Sequence, residues 1–230
     1  MSLNTILSVC ESIAINDQKL VGQVLSRNQR ISTSELLTVQ PFEFTMKPMN
    51  YLLYSQNRTV LSTLRTNDKA TEQFLNFGST GWVNYIAYQG DMTAAQISLC
   101  AWQTSSANKT LVLGSLPAIA GSFTSSSYIV KTGDFCQIGR YAYIATANVQ
   151  RGTGSTVNIP VHRNLIETLV STVQCVIGQY GTTIALGGAT FIGTTFPVIL
   201  REYPTYTLVP MTNDSFISWN GAFVAFEDVL

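Results

Sequence analysis

Residues 133–163 read GDFCQIGRYAYIATANVQRGTGSTVNIPVHR, and strand and turn signals follow one another through them without a gap. Tyr141, Tyr143, Thr146 and Val149 belong to a β-rich run. Beyond Gly152-Thr153-Gly154-Ser155, Val157, Ile159 and Val161 alternate with polar or turn-prone residues. This pattern predicts two strands joined by a glycine hairpin. Alternation of period two buries one face and leaves the other open, so the expected unit is a half-covered antiparallel ribbon. Gly133 and Gly139 bracket a further short strand at 134–138, which makes residues 127–163 a small three-stranded meander. Nothing in it is spaced like a catalytic site.

Working outward toward the C-terminus, short strands are expected at 172–177, 182–186, 190–192, 196–201, 206–210 and 216–226, most of them separated by glycine or asparagine. Many short strands with regular turn signals read as a sandwich or barrel, which 164–230 would complete. Toward the N-terminus, the GSFTSSS run at 121–127 has the composition of a linker. Before it, 20–120 reads as a β-rich domain. A strand opens at Val21 and gives way to a polar stretch carrying Arg27 and Arg30, and a second run through Leu37, Val39, Phe42, Phe44 and Met46 is interrupted by Pro41. Residues 57–76 are the best helix candidate, with Val60, Leu61, Leu64, Thr71, Phe74 and Leu75 on one face and Asn67-Asp68 as an interruption. Strands are then expected at 82–89, 94–102 and 110–113. At the N-terminus, Leu3, Ile6, Leu7, Cys10, Ile13 and Ala14 recur at helical spacing, so 1–19 reads as a short helix or an arm that becomes helical on docking. The fold class is mainly β, an antiparallel sandwich or barrel with one amphipathic helix and a short N-terminal helix or arm.

Charged residues make up 11% of the 230-residue chain, against roughly 25% in an average soluble domain. A free monomer of this size keeps itself in solution with interspersed charge, so a neutral surface rich in Thr, Ser and Asn suggests an exterior covered by neighbouring subunits. Thirteen basic residues balance thirteen acidic ones with no block of like charge, which argues against direct nucleic-acid binding. Cys10, Cys100, Cys136 and Cys175 show no CxxC spacing and sit among apolar or β-forming neighbours, so buried free thiols in a reducing compartment are expected rather than zinc ligands. The N-terminus lacks the basic start and small-residue cleavage site of a signal peptide, and no run approaches the ~20 apolar residues of a membrane span. The expectation is a chain made in the cytoplasm and assembled there into something larger.

Candidate chemistry is sparse. His162 is the single histidine, with no GxSxG serine beside it, and is expected to close the meander with a hydrogen bond. Gly188 to Thr195 resembles a phosphate loop without its lysine. The carboxylates are dispersed, and none is paired at a glycosidase spacing. Trp82, Tyr85 and Tyr88 could form a sugar platform, while core or interface roles are commoner for strand aromatics. No catalytic, metal or cofactor residue is expected, and Arg27, Arg30, Arg58, Arg65 and Arg151 are the candidate interface residues.

GDFCQIG, then YIATANV with Arg151-Gly152 and Gly154, then TVNIPVHR, together resemble a recurring segment of tailed-bacteriophage virion proteins. Residues 47–52, KPMNYL, and the closing stretch 215–227 also look like phage structural sequences, above all minor tail or baseplate components of contractile-tailed phages. The resemblance implies a tail-tube-like or tail-hub-like β fold, assembled as a ring, usually sixfold, against tube or baseplate partners. It brings no catalytic residues. At Asn148 this chain has an amide where the segment often has an acid, which weakens any reading of cation or arginine binding there. The expected role is a structural component of a phage tail or baseplate, located in the virion. The alternative is a receptor- or carbohydrate-binding phage module.

Overall fold

The computed structural model describes residues 3–17, 21–25, 31–35, 41–66, 71–79, 83–103, 109–167, 173–181, 184–186 and 189–229. From the N-terminus run α1 (Leu3–Leu7), β1 (Cys10–Asn16), β2 (Val21–Leu25), β3 (Ile31–Glu35), β4 (Glu43–Pro48), β5 (Leu52–Leu53), α2 (Tyr54–Thr66) and β6 (Glu72–Asn76). Two short helices, α3 (Val83–Ile86) and α4 (Ala94–Leu99), lead to β7 (Ala101–Trp102), β8 (Thr110–Gly114), β9 (Tyr128–Val130), β10 (Phe135–Ile138) and β11 (Tyr141–Ile144). Next come β12 (Val149–Gln150), β13 (Val157–Pro160), β14 (Val173–Gln174), β15 (Val176–Ile177), β16 (Tyr180–Gly181), β17 (Ile184–Leu186) and β18 (Ala189–Phe191). The chain closes with β19 (Thr195–Glu202), β20 (Thr205–Pro210), β21 (Ser215–Asn220) and β22 (Phe223–Glu227). The protein is mainly β, and every pairing between these strands is antiparallel.

A five-stranded sheet in the order β1-β4-β22-β19-β6 joins both ends of the chain. On β4, Phe44 and Met46 alternate inward while Lys47 stays outside, and on β22 Phe223, Ala225 and Glu227 alternate inward. Phe196 of β19 sits at the centre of the core they form, edge-on to Phe42, Phe44, Phe77 and Phe135 at centroid distances of 5.2, 5.0, 5.7 and 5.9 Å. Such edge-to-face contacts add about 0.5–1.5 kcal/mol per pair beyond the area they bury. The apolar face of α1, Leu3, Ile6 and Leu7, docks on the same core. The helix expected in the first residues therefore exists, but it stops at Leu7 and the chain continues as a sheet strand.

The meander is the largest correction to the sequence reading. β10 and β11 pair as a hairpin through Gly139-Arg140, as the glycine bracket suggested, but they are covered on both faces and not on one. Phe135 and Ala142 join the first core, whereas Cys136, Ile138, Tyr141 and Tyr143 join a second core with Trp102, Leu111, Leu113, Ile159 and Ile177. Gln137 is fully buried between them, its Oε1 accepting the Thr195 N–H at 2.8 Å and its carbonyl accepting Trp102 Nε1–H at 2.8 Å. A polar residue at an apparently outward position is thus tolerated inside because its hydrogen bonds are made. The expected hairpin across residues 152–155 is reduced to one antiparallel bridge, Ala145↔Val161, because β13 pairs with β8 and β12 with β9.

Other segments differ from the sequence reading too. The helix begins at Tyr54 and ends at Thr66, and Glu72–Asn76 is an edge strand beside β19. The alternation at 83–86 and 94–99 belongs to short helices; α4 opens with a capping box in which Thr93 and Gln96 satisfy each other's backbone N–H groups. In the run read as a linker at 121–127, Phe123 is buried in the second core and bridges back to Ala120, while Gly121, Ser122, Thr124 and Ser126 are exposed. The strands expected at 196–201 and 206–210 appear as β19 and β20, but the single strand expected at 216–226 is two, β21 and β22, which turn at Gly221 (φ +98°) and belong to different sheets. Leu37, Val39 and Asn67-Asp68 lie outside the described residues. All four cysteines are buried free thiols.

A buried ion pair ties the two cores. Arg163 and Glu227 are almost fully buried and bond through two guanidinium–carboxylate contacts of 2.5 and 2.7 Å. Arg163 also donates to the Ala142 carbonyl at 2.7 Å and lies over the rings of Phe42 and Tyr143. Glu227 accepts the Phe42 N–H at 3.2 Å. The pair therefore holds the last strand, the hairpin β10–β11 and the entry to β4 in one arrangement. Removing one partner of such a pair leaves an uncompensated charge in a medium that cannot solvate it.

Candidate functional site

His162 accepts the Ile144 N–H on Nδ1 at 3.0 Å and stacks near Phe42, a closing contact of the hairpin. Asn148 uses its side-chain oxygen to accept the Thr132 N–H at 2.9 Å. Asp134 is buried with two backbone N–H bonds, from Lys131 and Gln89, and burial pushes its carboxyl above the ordinary aspartate range. Burial likewise pushes the Cys10 thiol up to about 12 and the Cys100 thiol to about 11, away from nucleophilic thiolate. Among the described residues no group of three or more His, Cys, Asp or Glu side chains could hold a metal ion, and no helix is long and apolar enough to cross a membrane.

The candidate interface arginines separate into three groups. Arg27 and Arg30 lie outside the described residues. Arg151 is buried: its Nε donates to the Pro117 carbonyl at 2.9 Å and its Nη1 to the Gly154 carbonyl at 2.7 Å, so the guanidinium fastens its own loop. Arg58 and Arg65 are exposed on α2. Arg58 lines a shallow open depression of about 410 Å³ with Ser55, Thr59 and Ser62. Of the aromatic platform, Trp82 lies outside the described residues. Tyr85 packs against Phe77 and Phe135, and the Tyr88 hydroxyl donates to the Ile129 carbonyl at 2.6 Å. The two tyrosines therefore anchor α3 and the following loop to the rest of the fold.

No model of a known protein family matches this chain, and a search of curated proteins finds no match. What the chain can do is therefore argued from its own surface. The surface that stands out is the three-stranded sheet β20-β21-β5. One face lies on the first core, through Leu52, Ile217, Trp219 and Tyr206, with Val60 and Leu61 of α2. On the other face the register sets Val209 beside Phe216 and Phe216 beside Leu53. Tyr51 stands edge-on to Phe216 at 6.3 Å, and Met211 follows the strand. Tyr51, Val209 and Met211 are 64%, 39% and 52% exposed. Single exposed apolar residues are ordinary, but this is a contiguous stripe across three strands.

Two hydrogen bonds make the hairpin β20–β21 one body with α2. Ser55 Oγ–H donates to Asp214 at the hairpin turn at 2.7 Å, and Arg65 donates to the Tyr206 hydroxyl at 3.3 Å. The Ser55 hydroxyl, followed by the Ser215 N–H, holds the Asp214 carboxyl below the ordinary aspartate value. Tyr51 takes a backbone φ of +60°, a conformation that costs energy for a bulky residue and tends to persist at functional surfaces. The site is thus an apolar sheet face whose opposite face rests on α2 and the first core. Sequence reasoning looked for arginines and missed it. The available signal was the run from Tyr203 to Asn213, eleven residues without a charge.

Proposed function

We propose that this chain is a structural protein of a tailed-phage particle, a tail or baseplate component that acts by contacts between its own copies and with neighbouring tail proteins. The observation that carries the reading is the open apolar face of β20-β21-β5, where exposed Tyr51, Val209 and Met211 lie together on one sheet, whereas Leu99, Ile119 and Ile192 are exposed on separate elements. A face of this kind gains stability when it is covered, at about 25 cal/mol for each Å² of apolar surface removed from water. The sparse charge of the chain, 11%, supports the same reading, because a coat with few ions suits a protein enclosed by neighbours. The resemblance of residues 133–163 to phage virion segments supplies the setting and the expectation of a ring. In that setting the doubly covered hairpin β10–β11 is the rigid centre, and the exposed sheets carry the contacts.

Negative-stain class averages of the purified protein, together with co-sedimentation on purified tail particles, test this proposal. Symmetric rings, or binding to the tail or baseplate, are expected. A monodisperse monomer at all concentrations that ignores tail particles would overturn it.

A further inference from the structure

We infer that the free edge of β20 is a two-fold pairing site for a second copy of this chain, centred on Thr207. This rests on the reading above that β20-β21-β5 is an assembly face, and names its partner. β20 ends its sheet, pairing with β21 and with no other described strand. Its register with β21 runs from Thr205↔Asn220 to Pro210↔Ser215, and Met211 N–H donates to the Asp214 carbonyl at 2.8 Å. Hydrogen-bonded pairs alternate along an antiparallel ladder, so Thr205, Thr207 and Val209 turn their backbone groups toward β21. Tyr206, Leu208 and Pro210 turn theirs toward the open edge. Pro210 is placed where its missing N–H costs the ladder nothing, as edge prolines are.

The pattern of the edge selects the occupant. Pro204 and Pro210 lie three residues to either side of Thr207, and Tyr206 and Leu208 flank it. When two such edges meet antiparallel about Thr207, Tyr206 of each copy faces Leu208 of the other, and both N–H and both C=O groups of the pair are used. The prolines then fall opposite each other at the ends. Sliding the register by two residues either way sets a proline against Leu208 or Tyr206 and strands a carbonyl inside the ladder. A pattern symmetric about its own centre fits a second copy of itself better than an unrelated strand. No charge occurs from Tyr203 to Asn213, so two copies meet without the like-charge repulsion that usually guards an edge. Leu208, 43% exposed in the single chain, is covered by the partner's Tyr206 ring. The contact is isologous, so it joins copies in pairs and leaves other surfaces for any ring contact.

A cross-link reads this register directly. Residue 207 would oppose itself in a non-hydrogen-bonded pair with Cα atoms about 4.5 Å apart, within disulfide reach. Thr207→Cys in the full chain is expected to form an interchain disulfide under mild oxidation, while Thr205→Cys alone stays unlinked and a mixture of Thr205→Cys with Val209→Cys links. The native cysteines are buried and give little background. Leu208→Pro removes one outward N–H per copy and leaves the ladder to β21 intact; sedimentation should show dimer dissociation increased by about thirtyfold. Self-linking of Thr205→Cys or Val209→Cys, no linking of Thr207→Cys, or dimers indifferent to Leu208→Pro would overturn the pairing. Rings without the Thr207→Cys link would overturn this contact and leave the assembly reading standing. Linked pairs without rings or tail binding would do the reverse.

Discussion

The hairpin β10–β11 and the hairpin β20–β21 are similar in kind and opposite in circumstance. In the first, Phe135 to Ile138 are buried on both faces, and the polar Gln137 among them has its hydrogen bonds made by Thr195, Gly139 and Trp102. In the second, one face rests on α2 and the first core, while the other carries Val209 and Phe216 into solvent. Burial on both sides turns every polar group into a liability that must be matched, which produces the Arg163–Glu227 pair. An open sheet has no such demand, and it can leave apolar groups and an unpaired edge for a partner. The comparison teaches that the conspicuous motif marks the scaffold, and that the open apolar surface lies elsewhere.

Breaking the scaffold should have the largest effect. Arg163→Ala strands the Glu227 carboxylate in the core and should lower stability by about 3–5 kcal/mol, measured by urea unfolding. Gln137→Ala leaves the buried Thr195 N–H without its acceptor and should cost about 1–3 kcal/mol in the same assay. On the open hairpin, Thr207→Lys should change stability by no more than about 0.5 kcal/mol, because the side chain is exposed. Its effect should appear instead in sedimentation, as loss of the paired species through lysines facing each other. The smallest effect belongs to Ser55→Ala, which should raise the Asp214 pKa toward the ordinary aspartate value in an NMR titration. The sign follows from the lowered native value: Asp214 contributes stability above its unfolded pKa, and that contribution fades as the pH falls through the native one. In Ser55→Ala the contribution should therefore be smaller, and its loss complete at a higher pH.

How far the sequence discloses these two regions depends on whether the deciding contact is local. The strands β19 and β20 are legible because their alternation and turns are local signals, whereas the run 216–226 reads as one strand although it turns at Gly221. The covering of β10 on both sides is not legible, since Gln137 looks like a solvent position until Thr195 and Trp102, distant in the chain, arrive beside it. Pairing partners are equally hidden: the alternation at 157–161 announces a strand but says nothing of β8. At 83–86 and 94–99 the same alternation misleads, because a helix of one or two turns has too few residues to show its period. The capping signal Thr93-x-x-Gln96 was there to correct it. Arg163 and Glu227 stand 64 residues apart, and only the fold makes them a pair. The open edge of β20, by contrast, can be read in the uncharged run and its flanking prolines once an edge is sought.

The central claim is that β10–β11 is permanently enclosed while β20 waits for cover, and amide hydrogen exchange measures both at once. In dilute protein, the Tyr206 and Leu208 amides should exchange fast and those of Phe135 to Ile138 slowly. In concentrated protein, Tyr206 and Leu208 should become protected while β10 is unchanged. Fast exchange at β10, or exchange at Tyr206 and Leu208 that ignores concentration, would contradict the account.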